Sequence, residues 1–244
     1  MTQTAEAPPI GRRASSLGWI GALLRWLLWI VLAVVGLLLL LTAVYAVAHP
    51  PSTLMLGRWA TLKPVDRRWT PIEAISPRLV NAVILSEDAR YCQHGGVDWD
   101  ALRTVLDDAD DAGPSRGAST IPMQTAKNLF LWPSRSYVRK GLELPLALWL
   151  DLVWSKRRIM EVYLNIAEWG PGVFGAEAAA RSYFNKSASE LTAREATLLT
   201  KALPNPILRN PGKPGRGLQR LAGRLAGQLG DAEPYVQCVK VARR

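Results

Sequence analysis

The sequence is poor in the residues from which disulfide scaffolds and metal sites are built. Its 244 residues include 2 cysteines and 2 histidines. Cys92 and Cys238 could pair in an oxidising compartment, but two cysteines make no framework. Two half-buried thiols are the simpler expectation. His49 and His94 lie far apart, and no Cys/His ligand spacing is present, which argues against a structural zinc site. Acidic residues are also few, 20 against 30 basic ones, for a net charge of +10. Strand-like alternation and internal repeats are absent, so helical periodicity dominates and the expected fold class is all-α. Charged residues still make up 20% of the chain, which excludes a polytopic membrane protein. About 195 of the 244 residues follow the apolar segment described next, enough for a single core.

That segment is the one long hydrophobic run. Residues 26–48 carry no charge, and as a helix they span roughly 34 Å, enough for a bilayer core of about 30 Å. Arg12, Arg13 and Arg25 precede the run, against Glu6 alone. The positive-inside rule keeps residues 1–25 in the cytoplasm and puts the rest outside. Ala46-Val47-Ala48 resembles a signal-peptidase site, but the run is long for a cleaved signal, so a retained anchor is expected. A basic chain could meet nucleic acid, an anionic membrane or an anionic substrate. A domain tethered outside the cytoplasm meets the last two and not nucleic acid.

After the anchor, residues 50–70 read as a connector with apolar groups at Leu54, Met55 and Trp59. Ser76-Pro77 opens a helix with Val80, Val83 and Ile84 on one face. Residues 107–118 read as a loop. Helices are expected over about 122–131, 136–154, 155–166 and 176–184. Thr192 and Glu195 form a capping box before Leu198. A basic helix is expected over about 214–229, inside a basic tail, 211–244. Its cations suit either anionic lipid or plain solvation.

Glu87 continues the apolar face of Val83 and Ile84. A carboxylate so placed is costly to ionise unless paired, which suits proton transfer and equally a structural ion pair. Glu143 follows Arg139 and Lys140 by one turn, and alone reads as an ordinary helical ion pair. Two carboxylates in one cleft, however, are the apparatus for chemistry at an anomeric carbon. The segment from Gly117 through Ser119, Thr120 and Gln124 enters a helix, where backbone amides and hydroxyls suit an anion. Gln124, Lys127 and Leu131 share a face and, with Arg135, could hold a pyrophosphate. A capped helix with exposed polar groups explains that segment alone equally well. Asp107-Asp108-Ala109-Asp110-Asp111 fits a magnesium-pyrophosphate pattern, but no second such motif occurs and Gly113-Pro114 follows, so it reads as a solvated acidic loop.

Taken in order, these segments resemble one family. Glu87-Asp88-Ala89-Arg90-Tyr91, with His94-Gly95, resembles the first motif of the family 51 glycosyltransferases. Residues 117–124 resemble the second, Arg139-Lys140-Gly141-Leu142-Glu143 the third, and Lys156 to Asn165 the fourth. Gly172 to Gly175, Tyr183-Phe184-Asn185-Lys186 and Glu195 to Leu199 continue the order, and the likeness covers most of residues 71–210. It is strongest to monofunctional members, since no Ser-x-x-Lys or Lys-Thr-Gly of a transpeptidase occurs. Pro122 and Met123 replace a usual small polar residue and a glutamine, and Met123 is expected to alter donor binding.

The resemblance implies a lysozyme-like α-helical domain with a small membrane-embedded lobe, for which Trp59 and Leu131-Trp132 are candidates. It implies an inverting transferase of the bacterial inner membrane, with its catalytic domain in the periplasm. The enzyme joins lipid II to a growing glycan strand and releases polyprenyl pyrophosphate. Glu87 would take the proton of the acceptor hydroxyl. Glu143, Lys127, Arg135 and Arg139 would stabilise the leaving pyrophosphate, with a divalent metal (magnesium or manganese) as the expected cofactor there. Ser119, Thr120 and Gln124 would orient the donor, Asp88 and His94 would hold the Glu87 loop, and Lys140 would be structural. Expected partners are cell-wall synthesis or division proteins. Two rivals remain at this level: a glycan hydrolase, and an inactive factor that binds lipid II for another polymerase.

Overall fold

The computed structural model describes residues 16–108, 118–134 and 136–240. Arg12, Arg13, Glu6, Gly117, Arg135, Arg243, Arg244 and the aspartates at 110 and 111 therefore lie outside the described residues. The chain divides into two units, one ending at Tyr45 and one beginning at Ala46.

The first unit holds helix α1, Ser16–Tyr45. Its apolar span, Trp19–Tyr45, is long enough to cross a bilayer. The helix starts before the expected boundary at residue 26, with Arg25 inside it, and ends before residue 48. An arginine within a turn or two of an apolar stretch can extend its head toward the interface, so its charge does not stop the helix.

The second unit is helical, with one small sheet. The expected connector contains helix α2, Thr53–Ala60, because Ser52 caps it by accepting the Met55 N–H at 3.2 Å. Strand β1, Asp66–Arg67, lies parallel to β3, Val173–Phe174, which pairs antiparallel with β2, Glu168–Gly170. The β2–β3 turn needs Gly172 at φ +80°, where an added Cβ would lie 2.8 Å from the Pro64 carbonyl oxygen.

Helix α3, Pro77–Glu87, buries Leu79, Val80, Ala82, Val83 and Ile84 and packs on α9, Ala193–Ala202. Both arms of the Thr192–Glu195 capping box form. Helix α4, Trp99–Asp107, was not anticipated; Asp98 supports its first turn by accepting the Ala101 N–H at 3.0 Å. Helices α5, Ile121–Phe130, α6, Tyr137–Val153, and α7, Lys156–Ile166, are capped by Thr120, Ser136 and Ser155. Helix α8, Ala176–Phe184, ends at Asn185 in the left-handed conformation, a permitted role for asparagine.

Helix α10, Arg216–Gln228, is more than a solvated basic helix. It seats Leu218, Ala222 and Leu225 and packs on α9. Three short 3-10 turns then bring the chain back to the first motif, where Cys238 is joined to Cys92. The expectation of two free thiols is thus corrected: residues 146 apart in sequence give no local signal, and only the return of the chain after α10 brings them together. Replacing Cys238 by serine is expected to cost on the order of 2–5 kcal/mol, through the unfolded-state loop that the bond closes. The drop in Tm should be matched by treating the unaltered protein with a dithiol. An unchanged Tm on reduction would refute the assignment.

Candidate active site

The loop that follows α3 is held from several sides. Asp88 takes His94 Nε2 at 2.8 Å on one carboxylate oxygen and the Ile121 N–H at 2.9 Å on the other. One aspartate therefore joins the first motif to the N-terminus of α5, where a carboxylate is favoured by the helix dipole. Tyr91 is fully buried and donates its hydroxyl to the Lys156 carbonyl at 2.7 Å. Burial pushes the Tyr91 phenol well up, so it stays a donor. Lys156 donates to the His94 carbonyl at 2.6 Å, pairs with Asp151, and stands over the Tyr91 ring. Asp88 and His94 sit where a loop-holding role requires, and the start of α7 forms the wall behind them.

Glu87 lies at the end of α3, half-buried rather than in the core its apolar face suggested. It lines a cavity of about 260 Å³ with Asp88, Arg90, Ser119 and Thr120. Its Oε1 accepts the Ser86 hydroxyl at 2.9 Å.

Glu143 is buried, at 2% exposure, on α6. Arg139 pairs with one of its oxygens, and Lys140 with the other at 2.8 Å. Lys140 also donates to the Ser119 hydroxyl, so it ties the third motif to the second. Spacing along α6 could show the Glu143 pairs but not this link, which spans 21 residues of sequence. The Lys127 ammonium, from α5, has no ion-pair or hydrogen-bonding partner among the described residues. Burial pushes its ammonium down, Glu143 and Glu87 oppose that effect, and Arg139 and Lys140 add to it. Lys127 therefore feels both carboxylates. With Arg139 it lines a second cavity of about 270 Å³, whose walls include Thr53, Asn128 and Trp132.

A chain of hydrogen bonds, Ser119 to Lys140 to Glu143 to Arg139, runs from the wall of one cavity to the wall of the other. One presents a half-buried carboxylate, the other a cation with no partner beside a buried ion-paired carboxylate. Thr120 is spent structurally: its hydroxyl caps α5 and donates to the Gly96 carbonyl at 2.6 Å. Gln124 is held by its Oε1, which accepts the Tyr163 hydroxyl at 3.1 Å, and its amide NH2 is the end that an anion would meet. That contact places Tyr163, which lies inside the fourth motif, against the site. Asn165 of the fourth motif is scaffold, bonding the backbone of Thr70 through both ends of its amide at 2.8 Å.

A model of the transglycosylase family matches residues 55–227 of the chain. The chain is similar to the biosynthetic peptidoglycan transglycosylase of Brucella suis biovar 1 (strain 1330), with 60% identity over 211 residues, 86% of this chain and 94% of that protein. The chain belongs to the transglycosylase family. It is also similar to the protein of that name from Agrobacterium fabrum, 57% identical over 210 residues, covering 85% and 93% of the two chains. A third, from Nitrobacter winogradskyi, is 55% identical over 206 residues, covering 83% and 91%.

Within this transglycosylase the departure at Met123 falls on a core position. Met123 is 1% exposed and packs with Val97 and Ala147 in the core, against Leu102 and Leu144. Its side chain lines neither cavity, so the feature that favoured the inactive-factor rival lies in the core and not on the walls of the site.

Proposed function

We propose that the chain is a membrane-anchored peptidoglycan glycosyltransferase that polymerises lipid II with inversion at the anomeric carbon. The observation that carries this reading is the unpartnered Lys127 beside the Arg139–Glu143–Lys140 cluster, joined to the Glu87 cavity through Ser119. A glycan hydrolase needs a proton donor and a water; it has no use for a cavity lined by cations. A displaced pyrophosphate does.

Glu87 takes the proton from the acceptor 4-hydroxyl as that oxygen attacks C1 of the donor. The C1–oxygen bond to the pyrophosphate breaks, and polyprenyl pyrophosphate leaves. Lys127 and Arg139 neutralise the charge that develops on it, with Arg135 in the same role. Glu143 and Lys140 hold Arg139 and Ser119 in place. Attack opposite the leaving group turns the α-linked donor into a β-1,4 bond without a covalent enzyme intermediate.

The residues do not build a cage for the divalent metal. Both Glu143 oxygens are ion-paired, and among the described residues no group of three or more His, Cys, Asp or Glu is arranged around a common point. An ion would have to arrive with the pyrophosphate, as magnesium does at phosphate sites. No step is assigned to it.

The catalytic domain lies on the outer face of the inner membrane in this reading, with α1 as a single-pass anchor. The Cys92–Cys238 bond supports that side, since such bonds persist in oxidising compartments. Glycan transfer proceeds without peptide cross-linking, in keeping with the lack of Ser-x-x-Lys and Lys-Thr-Gly in these 244 residues.

The test is labelled lipid II given to the detergent-solubilised chain, with products resolved on a gel. A ladder that lysozyme digests is expected; unchanged lipid II would sink the reading. A pH effect follows from Lys127. Its lowered pKa means that its charge is lost as pH rises through a value below the ordinary lysine value of about 10.4. Affinity for a soluble pyrophosphate analogue should therefore begin to fall below that pH. Lys127→Arg should move the fall upward, and a fall that stays in place would show that another group is titrating.

A further inference from the structure

Lys201 stands on α9, which packs on α3, the helix that ends in Glu87. It is partly buried, and desolvation pushes its ammonium down while Glu87 opposes that effect. A lysine that gives up water normally gains a carboxylate in exchange. Lys201 makes no carboxylate ion pair among the described residues. Its ammonium instead donates to the Ser86 hydroxyl at 2.7 Å, and that hydroxyl donates in turn to Glu87 Oε1 at 2.9 Å. A serine that accepts from an ammonium is a stronger donor than a free one, because hydrogen bonds in a chain polarise each other.

The lysine is itself held in place. Its backbone carbonyl accepts from Arg209 at 2.9 Å, and α9 packs on both α3 and α10. The other charged and titratable groups around Glu87 have different tasks. Lys127 on α5 faces the second cavity, Asp88 is spent on His94 and Ile121, and Tyr163 on α7 bonds Gln124. Arg209 and Arg224 stand near Lys201 and help lower its pKa. Glu87 Oε2 has no partner among the described residues.

We propose that Ser86 and Lys201 form a positioning relay that fixes Glu87 by Oε1 and so leaves Oε2 as the oxygen that takes the acceptor proton. This rests on the glycosyltransferase reading above, and gives the two linkers, rather than Glu87 alone, a part in the rate. Neither residue touches substrate in this role. They restrict the carboxylate to one rotamer, which matters because misplacement of a base by about 1 Å can cost on the order of 100-fold.

The experiment compares the full detergent-solubilised chain with Ser86→Ala, Lys201→Met, Lys201→Arg and the Ser86→Ala/Lys201→Met double variant, each checked for an unchanged thermal midpoint. The relay predicts that Ser86→Ala and Lys201→Met each lower kcat by about 10- to 100-fold, the scale of a lost charge-assisted hydrogen bond, with KM for lipid II within about twofold. Lys201→Arg should recover much of the loss. The double variant should be no worse than the poorer single one, since both break the same chain. Losses that multiply, a rise in KM with kcat intact, or unchanged rates would each overturn the relay. If Lys201→Met fails to fold, Ser86→Ala removes a single oxygen and decides the matter through the same kcat and KM. Loss of polymerisation by the unaltered chain would strike the glycosyltransferase reading instead, so the two failures are distinct.

Discussion

Replacing Glu87 by glutamine lowers the rate of glycan polymerisation by about 10²- to 10⁴-fold, the usual contribution of a general base, and leaves lipid II binding in place. Glutamine has the shape of glutamate, and its amide oxygen can still accept the Ser86 hydroxyl that now reaches Oε1. Its amide nitrogen cannot take a proton. Glu87 is half-buried at a helix end and has no ion pair among the described residues, so removing its charge breaks no salt bridge and withdraws only the longer-range support it gives Lys127 and Lys201. The fold should therefore survive, with a Tm within a degree or two of the parent's. The measurement is the initial rate of polymer formation at saturating lipid II, paired with a binding titration. A rate within about threefold of the parent would remove Glu87 from the chemistry.

The second large effect is expected at Glu143, and it combines stability with activity. Glu143→Ala leaves Arg139 and Lys140 without their shared carboxylate, and Lys127 without the charge that offsets its burial. Breaking a buried pair from one side costs about 3–5 kcal/mol, because the remaining charge stays desolvated. Lys140 keeps more than a third of its side-chain exposure, which places the expected cost toward the lower figure. For a domain of this size a loss of about 3 kcal/mol lowers Tm by roughly 6–12 °C. Polymerisation should be lost as well, since Arg139 and, through Lys140, Ser119 are no longer held. Glu143→Gln separates the two effects: it keeps the shape and one acceptor oxygen for one of the two donors, while its amide nitrogen cannot accept from the other, so it should regain more of the Tm than of the rate. Equal recovery of both would mean that Glu143 acts only on stability.

Much of this organisation can be read from local sequence, and the parts that cannot share a cause. The α9 capping box is legible because Thr192 and Glu195 are three residues apart, and the α3 start because Pro77 fixes its own φ. Helix α2 is hidden behind Pro50-Pro51, where the proline pair draws attention from Ser52 as a cap. Helix α4 is short and runs into the aspartates at 107 and 108, so its apolar positions are outweighed by a charge run. In the site, the family likeness brings Glu87, Lys127, Arg139 and Glu143 forward by the order of their motifs. What links them is long-range: Lys201 lies 115 residues from Ser86, Tyr163 lies 39 from Gln124, and Cys92 lies 146 from Cys238. No helical or strand period carries such a separation. Met123 shows the reverse error, where a change of residue type inside a motif suggested an altered site and the side chain turned out to face the core.

The most direct test of the central claim, that the sugar is transferred to a hydroxyl and not to water, is a count of ends. Labelled lipid II is incubated with the detergent-solubilised chain, and released polyprenyl pyrophosphate is measured together with new reducing ends. One pyrophosphate lipid per bond formed, with reducing ends staying near zero while polymer grows, is the predicted result. Reducing ends that rise in step with released lipid would mean hydrolysis, and would contradict the account.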